Sequence, residues 1–163
     1  DYRGSFEQIF RHYAPPVDPS FYISAATRSD PTYAPPGREA WVVLVPVGHL
    51  QEGVAIDWRQ QTEQIKAHVL GRLAALGLPD VREHIVFEER YTPRYYSEAL
   101  NLMKGSAFGL AHNLLQVGYF RPHNKAREFE GLYFAGASTH PGTGLPLVLI
   151  SARLTAERLL SEL

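Results

Sequence analysis

The feature that most restricts the fold of this 163-residue chain is a glycine-rich connection near its carboxyl end. Residues 133–135 are typical of a short buried strand, and residues 145–160 carry a helical pattern. Between them, Gly136, Gly142 and Gly144 permit positive φ angles and close approach of the backbone to a ligand. A helix that starts at Pro146 would direct unpaired N–H groups and its positive dipole end into the same loop. The sequence therefore predicts a strand–loop–helix that receives an electron-rich group.

The remaining pattern predicts an α+β fold. Residues 147–150 are apolar on every side, so we expect the start of the last helix to be buried. Asp57 is a credible N-cap, and Gly77 a credible C′ residue, for an amphipathic helix over residues 57–76. Before this helix, the sequence predicts the end of a helix near residues 6–12 and a strand after residues 18–20 that pairs with a buried strand at 39–47. After it, the sequence predicts a short strand at 84–90, a helix from Thr92-Pro93 to residue 102, and a loop at 105–119 that ends as a strand.

Composition excludes several classes of protein. The formal net charge is −1, which offers no basic footprint for nucleic acid. Cysteine is absent, so neither disulfides nor thiolate metal sites can form. The longest apolar runs fall well below the roughly 20 residues of a membrane span. The chain begins without methionine and inside a patterned stretch, so we expect it to be a fragment.

Three motifs fail when they are tested against the glycine-rich connection. The run from Gly142 begins like a dinucleotide fingerprint, but Leu147 takes the place of its third glycine. The run from Gly136 places His140 where a nucleophile elbow requires glycine. The seven histidines show no zinc spacing, so no metal site is predicted. The residues by themselves identify no catalytic group.

The connection resembles a known signature when it is read as a continuous string. Residues 132–142, Leu-Tyr-Phe-Ala-Gly-Ala-Ser-Thr-His-Pro-Gly, are similar to the carboxy-terminal flavin-binding signature of the phytoene desaturase family. Residues 45–50, 105–109 and 120–124 also resemble members of that family, in the same order. The amino-acid sequence at residues 18–22 and 136–138 resembles the fungal-type branch of the family more than the purple-bacterial branch. The family is similar in fold to the amine oxidases.

The resemblance implies FAD as the cofactor of the full-length enzyme. It places the cofactor against the loop and helix start, where the helix amides would face the electron-rich pyrimidine edge of the flavin. Many relatives have an acidic residue after the glycine at 136, where it binds the ribityl chain; Ala137 stands there in this chain, and we expect a hydroxyl of Ser138 or Thr139 to take its place. The implied cofactor-binding residues are Gly136, Ala137, Ser138, Thr139, His140, Gly144, Leu145, Pro146, Leu147 and Val148.

The resemblance also implies a domain organisation. Residues 1–125 would form part of a substrate-binding domain, with part of its sheet and helices. Residues 126–163 would form the carboxy-terminal FAD-binding segment of a flavoprotein whose amino-terminal dinucleotide-binding βαβ unit is absent from this chain. We therefore expect the chain alone to be inactive, with the missing amino-terminal part of the same enzyme as its partner and a homo-oligomer as a further possibility.

The activity implied by the resemblance is desaturation of a linear carotenoid, a phytoene-like polyene, by an FAD-dependent oxidoreductase of carotenoid biosynthesis. Because such a substrate dissolves in lipid, we expect an intracellular enzyme bound peripherally to a membrane surface. The compartment, the number of desaturation steps and the terminal electron acceptor stay open. Two alternatives also stay open: a carotenoid isomerase or retinol-saturase-like flavoprotein, and a non-catalytic interaction domain that retains the fold.

Overall fold

The protein is described by a computed structural model that covers residues 2–162. The chain divides into two compact units, unit 1 (Asp1–Arg94) and unit 2 (Tyr95–Leu163). The functional boundary predicted between residues 125 and 126 is a different division and stays a prediction. The mixed α+β class is confirmed at a coarse level. The described residues contain the helices α1 (Tyr2–Phe10), α2 (Trp58–Ala75), α3 (Val81–His84), α4 (Pro93–Leu100) and α5 (Leu145–Ser161), and the strands β1 (Tyr22–Ala25) and β2 (Trp41–Leu44).

Helix α2 of unit 1 follows its prediction closely. The Asp57 carboxylate accepts hydrogen bonds from the amides of Arg59 and Gln60 at 3.0 and 3.1 Å, so it caps the amino end as expected. Gly77 has a φ of 93°, the left-handed conformation that ends many helices. Apart from prolines, the buried apolar side chains of the described residues all lie on this helix: Trp58, Val69 and Leu73.

Strands β1 and β2 pair antiparallel, as the sequence predicted, with Tyr22 opposite Leu44 and Ala25 opposite Trp41. The prediction that the second strand is buried is wrong. Its side chains are 36–63% exposed, from Trp41 at the lower value to Val42 at the higher. The sheet has two strands in the described residues, and an apolar sheet face becomes buried only when another layer packs on it.

The strand predicted for residues 84–90 is also wrong. Helix α3 ends at His84, and residues 85–92 have no regular structure. Side chains hold this segment against α2 in place of a backbone ladder: Glu88 pairs with Lys66, and Arg90 pairs with Glu63 at 2.6 Å. Burial raises the pKa of Glu88, but the hydrogen bonds from Lys66 and Arg90 outweigh it and leave this pKa lowered.

Unit 2 consists of turns between two helices. The helix predicted after Thr92 is present as α4, and the final helix as α5. Neither further strand predicted in this unit forms. Residues 105–119 contain short 3₁₀ turns in place of the first, and the predicted strand at 133–135 is reduced to one antiparallel bridge between Lys125 and Tyr133. Amide hydrogen bonds at both sides of that bridge fix it, from Ala126 to Leu132 and from Phe134 to Asn124.

Candidate flavin site at the loop before helix α5

The loop over residues 136–144 turns on glycines whose conformations other residues rarely adopt. Gly136 has a φ of 130° and Gly144 a φ of 100°, and no atom lies within 4 Å of a Cβ placed on either residue. Gly142 has a φ of 151°, and a Cβ there would contact Leu147 at 3.6 Å. A side chain at 136 or 144 would therefore project into open space. That space is available to a ligand that approaches the backbone.

A buried polar network joins the loop to the middle of α5. Ser151 is 0% exposed, and its hydroxyl accepts from the Gly136 amide at 3.2 Å and lies 2.9 Å from the Thr139 hydroxyl. The Asn124 amide nitrogen lies 3.0–3.1 Å from four acceptors: the Phe134 and His140 carbonyls and the Ser151 and Thr155 hydroxyls. Buried polar groups are stable in such numbers only when they are hydrogen-bonded to each other. This network fixes the loop relative to α5.

The start of α5 carries backbone donors without protein partners. The first intrahelical bond runs from the Val148 amide to the Gly144 carbonyl at 2.9 Å. In the described part of the chain the amides of Leu145 and Leu147 have no hydrogen-bond partner, and Pro146 has no N–H. These donors lie at the positive end of the helix dipole. They suit an electron-rich group, as the sequence indicated.

The apolar side chains at the same helix start are exposed, so the prediction that residues 147–150 are buried is wrong for this chain. Leu147 is 39%, Leu149 64% and Ile150 38% exposed, and Leu145, at the first position of the helix, is 77% exposed. An exposed cluster of leucines beside free backbone donors is a surface that another molecule or segment covers in soluble proteins. The helix pattern alone did not reveal this because it gives the polarity of a face and not what packs on it.

Arg121 is the side chain that the sequence did not identify as part of this loop. It is 1% exposed, and its guanidinium donates only to backbone carbonyls. Nε donates to Ala137 at 3.1 Å, Nη1 donates to Gln116 at 2.8 Å, and Nη2 donates to Leu110 at 3.3 Å and again to Ala137. An arginine beside a loop can be a ligand for phosphate or carboxylate, or it can have a structural role in a turn. The bonding favours the second.

The predicted site residues fall into two groups. The first group, residues 136–140, is largely engaged with the protein: Thr139 is buried in the polar network, and His140 donates its amide to Pro122 at 2.8 Å with Nδ1 3.2 Å from the Gly118 carbonyl. The second group, residues 144–148, is exposed apart from the half-buried Val148. Their assignment to FAD stays a prediction.

A separate cluster of charges lies next to the Lys125–Tyr133 bridge. Glu162 accepts hydrogen bonds from Lys125 and Tyr133 and, at 3.2 Å, from Arg158. These bonds, that of Lys125 first, lower the pKa of Glu162 to about 2. The hydrogen bonds that Lys125 and Tyr133 donate to Glu162 raise the pKa of each donor. Lys125 and Arg158 also line a cavity that contains none of the residues predicted to bind FAD.

The residues at the loop fit a flavin. Gly136 and Gly144 leave room at the backbone, two free amides offer donors to an electron-rich edge, and exposed leucines offer an apolar wall. A flavin has a planar apolar ring system with a polar pyrimidine edge, so it needs all three features. A Cβ on Gly136 or Gly144 would meet no atom within 4 Å, so these two residues can form one wall of a site.

Comparison with known proteins gives the family. Residues 3–160 match the model of the flavin-containing amine oxidoreductases. The match covers nearly the whole sequence, so the chain belongs to the flavin-containing amine oxidoreductase family. Membership of this family implies FAD as the cofactor of the complete enzyme.

The individual relatives are carotenoid desaturases by name. The chain is 47% identical to a zeta-carotene-forming phytoene desaturase of Myxococcus xanthus, over 99% of this chain and 31% of the relative. It is 46% identical to a phytoene desaturase of Neurospora crassa, over 99% of this chain and 28% of the relative. It is 40% identical to a 4,4'-diapophytoene desaturase of Staphylococcus aureus, over 100% of this chain and 33% of the relative. The resemblance inferred from the sequence is confirmed, and the chain spans about a third of the length of these curated relatives.

No helix within residues 2–162 combines the length and the apolar character that crossing a membrane requires.

Proposed function

We propose that the complete enzyme to which this chain belongs is an FAD-dependent oxidoreductase that desaturates a linear, phytoene-like carotenoid. The observation that carries this proposal is the open glycine loop and helix start in a chain 47% identical to a phytoene desaturase. Residues 136–148 would form one wall of the flavin site, and residues 1–125 would form part of the substrate-binding domain. The dinucleotide-binding unit would lie in the part of the enzyme outside this sequence.

The residues of this chain would bind and orient the reactants and exclude water from them. Gly136 and Gly144 would allow the flavin to approach the backbone, and the amides of Leu145 and Leu147 would hold its electron-rich edge. Leu145 and Leu149 would exclude water from the reacting carbon atoms. A bound FAD would supply the hydride acceptor for this reaction: a hydride would leave one carbon of the polyene, the adjacent carbon would release a proton to solvent, and a double bond would form between the two carbons.

A chimera tests the proposal with the protein in its complete form. The matched segment of the Myxococcus xanthus enzyme is replaced by this chain, and the chimera is produced in cells that accumulate phytoene. We expect FAD to copurify and extracts to contain carotenoids with longer conjugated chromophores. A folded chimera that retains FAD but leaves phytoene unchanged would show that the substrate assignment is wrong.

We further propose that the complete enzyme acts at a membrane surface, inside the cell, without spanning the bilayer. Support comes from the lipid solubility of the proposed substrate and from exposed apolar side chains such as those of β2. Sedimentation with phospholipid vesicles tests this proposal: the enzyme should pellet with the vesicles, and recovery in the supernatant at all lipid concentrations would contradict it.

We propose, finally, that this chain is inactive without the rest of the enzyme. Its open glycine loop supplies one wall of the flavin site, and the exposed leucines of α5 lack a covering layer in the described residues. Purified chain should show no stoichiometric FAD and no desaturation, and analytical ultracentrifugation should show whether the exposed faces drive self-association. A yellow preparation with stoichiometric FAD would contradict this proposal.

A further inference from the structure

Arg121 is an unusual buried charge. Its guanidinium is 1% exposed, and in the described residues it has no carboxylate partner. Its described hydrogen bonds all end on backbone carbonyls, those of Leu110, Gln116 and Ala137. Removing an arginine from water without a counter-charge has a large desolvation cost. Carbonyl dipoles offset part of this cost. Because arginine side chains are almost always at least partly exposed, the full burial of Arg121 indicates a specific role at this loop.

The contacts of Arg121 converge on the proposed flavin loop from its inner side. Two of its nitrogens, Nε and Nη2, donate to one acceptor, the Ala137 carbonyl. Its Cδ and Nε also lie 3.9 Å from the position that a Cβ would occupy on Gly142. One side chain therefore contacts the loop near both of its ends. It ties that loop to the turns at Leu110 and Gln116.

Fixing the Ala137 carbonyl also fixes the direction of the next amide. In a trans peptide group the carbonyl and the following N–H point in opposite directions. The Ser138 amide therefore points away from the atom that Arg121 binds, and it has no hydrogen-bond partner in the described part of the chain. Gly109 provides the room for this arrangement, since a Cβ there would lie 2.6 Å from the Ser138 hydroxyl oxygen.

We propose that Arg121 is a positioning residue for the flavin: it holds the Ala137 carbonyl inward and so presents the loop backbone in the conformation that binds the cofactor. This inference rests on the proposed function only in placing FAD at residues 136–148. It does not depend on which polyene the enzyme oxidises. Arg121 itself does not contact the cofactor and acts through the loop.

The test compares three variants of the complete enzyme. Arg121→Met removes the hydrogen bonds and the charge, and Arg121→Lys keeps the charge but cannot donate to three carbonyls in one plane. Arg153→Met is the matched control, because Arg153 lies exposed on α5 in the same unit and, among the described residues, pairs only with Glu157 at 3.5 Å. The FAD dissociation constant of each apoenzyme is measured by fluorescence titration. Turnover is measured at low and at saturating FAD.

We expect the FAD dissociation constant to rise about tenfold or more for Arg121→Met, the size expected when hydrogen bonds to a charged group are lost. Arg121→Lys should show a smaller rise, and Arg153→Met none. Saturating FAD should restore much of the turnover of the Arg121 variants. A role in fold stability alone would lower the melting temperature and leave the dissociation constant of the folded protein unchanged.

Two results would overturn the inference. One is a folded Arg121→Met or Arg121→Lys enzyme with the wild-type FAD dissociation constant. The other is failure of both variants to fold while Arg153→Met folds, which would assign Arg121 to stability. An enzyme that binds FAD, shows the expected Arg121 effect and leaves linear carotenoids unchanged would contradict the proposed function and leave this inference standing.

Discussion

The side chains buried in unit 1 are mostly apolar, and those buried in unit 2 are polar or charged. Unit 1 buries Trp58, Val69 and Leu73 on one face of α2, together with three prolines and the single polar residue Ser5 among its described residues. The non-glycine residues buried in the described part of unit 2 are polar or charged: Arg121, Asn124, Thr139 and Ser151. Apolar burial is non-directional and tolerates small shifts, whereas a hydrogen-bond network requires each atom at a set distance. The unit that carries the predicted flavin loop is thus the one held by directional bonds.

The comparison predicts separate responses to substitution in the two units. The largest effect should come from Trp58→Ala in unit 1, because Trp58 is 6% exposed and truncating a buried tryptophan costs about 3–5 kcal/mol. Urea denaturation of the complete enzyme measures the loss, and hydrogen exchange should rise along α2. Leu76→Ala, 75% exposed just after the same helix, is the control and should change stability by less than about 0.5 kcal/mol. Equal losses of unfolding free energy in the two variants would show that the buried face of α2 does not hold unit 1 together.

Asn124→Ala tests the polar network of unit 2. It leaves the part-buried His140 carbonyl without its Asn124 donor and removes one of the donors to the Ser151 hydroxyl, which we expect to cost about 1–3 kcal/mol. Hydrogen exchange should rise at residues 134–140 and stay unchanged along α2. The control is Asn113→Ala, since the exposed Asn113 makes no side-chain capping bond. A spread of the change into α2 would show that the two units do not respond separately.

Gly144→Val tests the open side of the loop. The φ of 100° disfavours a side chain by about 1–2 kcal/mol, and the new side chain would project into the space that we assign to FAD. Gly131→Val is matched, because Gly131 has a φ of 71° with no atom within 4 Å of a Cβ, outside the loop. Both variants should lose stability, but only Gly144→Val should lose flavin absorbance after gel filtration. Equal flavin content in the two variants would remove residue 144 from the site.

A smaller effect is expected at the cap of α2. Asp57→Ala removes an acceptor of two backbone amides and should cost about 1 kcal/mol. Asp80→Ala is the control, because Asp80 precedes α3 without a side-chain capping bond. Thermal unfolding of the two variants measures the difference. Identical midpoints would show that the cap contributes nothing to unit 1.

The smallest effect concerns pH and the exposed Glu162. Its pKa is about 2 in the folded protein against an ordinary value of 4.5, so the unfolded state binds the proton first as pH falls. The stabilisation by its ion pairs is complete above pH 4.5 and is lost as pH falls toward 2. Glu162→Gln should therefore be slightly less stable than wild type at neutral pH and should match it at the acid limit. A difference that does not change with pH would exclude the charge as its cause.

Local sequence determined the elements whose signals are contained within a few residues. The Asp57 cap, the Gly77 end and the pairing of β1 with β2 follow from capping chemistry and alternating apolar runs. The glycine loop before α5 follows from its spacing, and its family followed from the string at residues 132–142. These features needed no knowledge of distant neighbours.

The tertiary structure alone decided which atoms meet. No spacing rule connects Arg121 with Ala137, or Asn124 with Ser151, because those pairs are separated by 16 and 27 residues along the chain. The predicted strand at 84–90 failed since Lys66, Glu63 and Arg90 hold that segment through side chains. The apolar residues of β2 and α5 predicted buried faces, but both faces are exposed in this structure. Burial depends on a covering layer, whereas a sequence pattern gives only the polarity of a face.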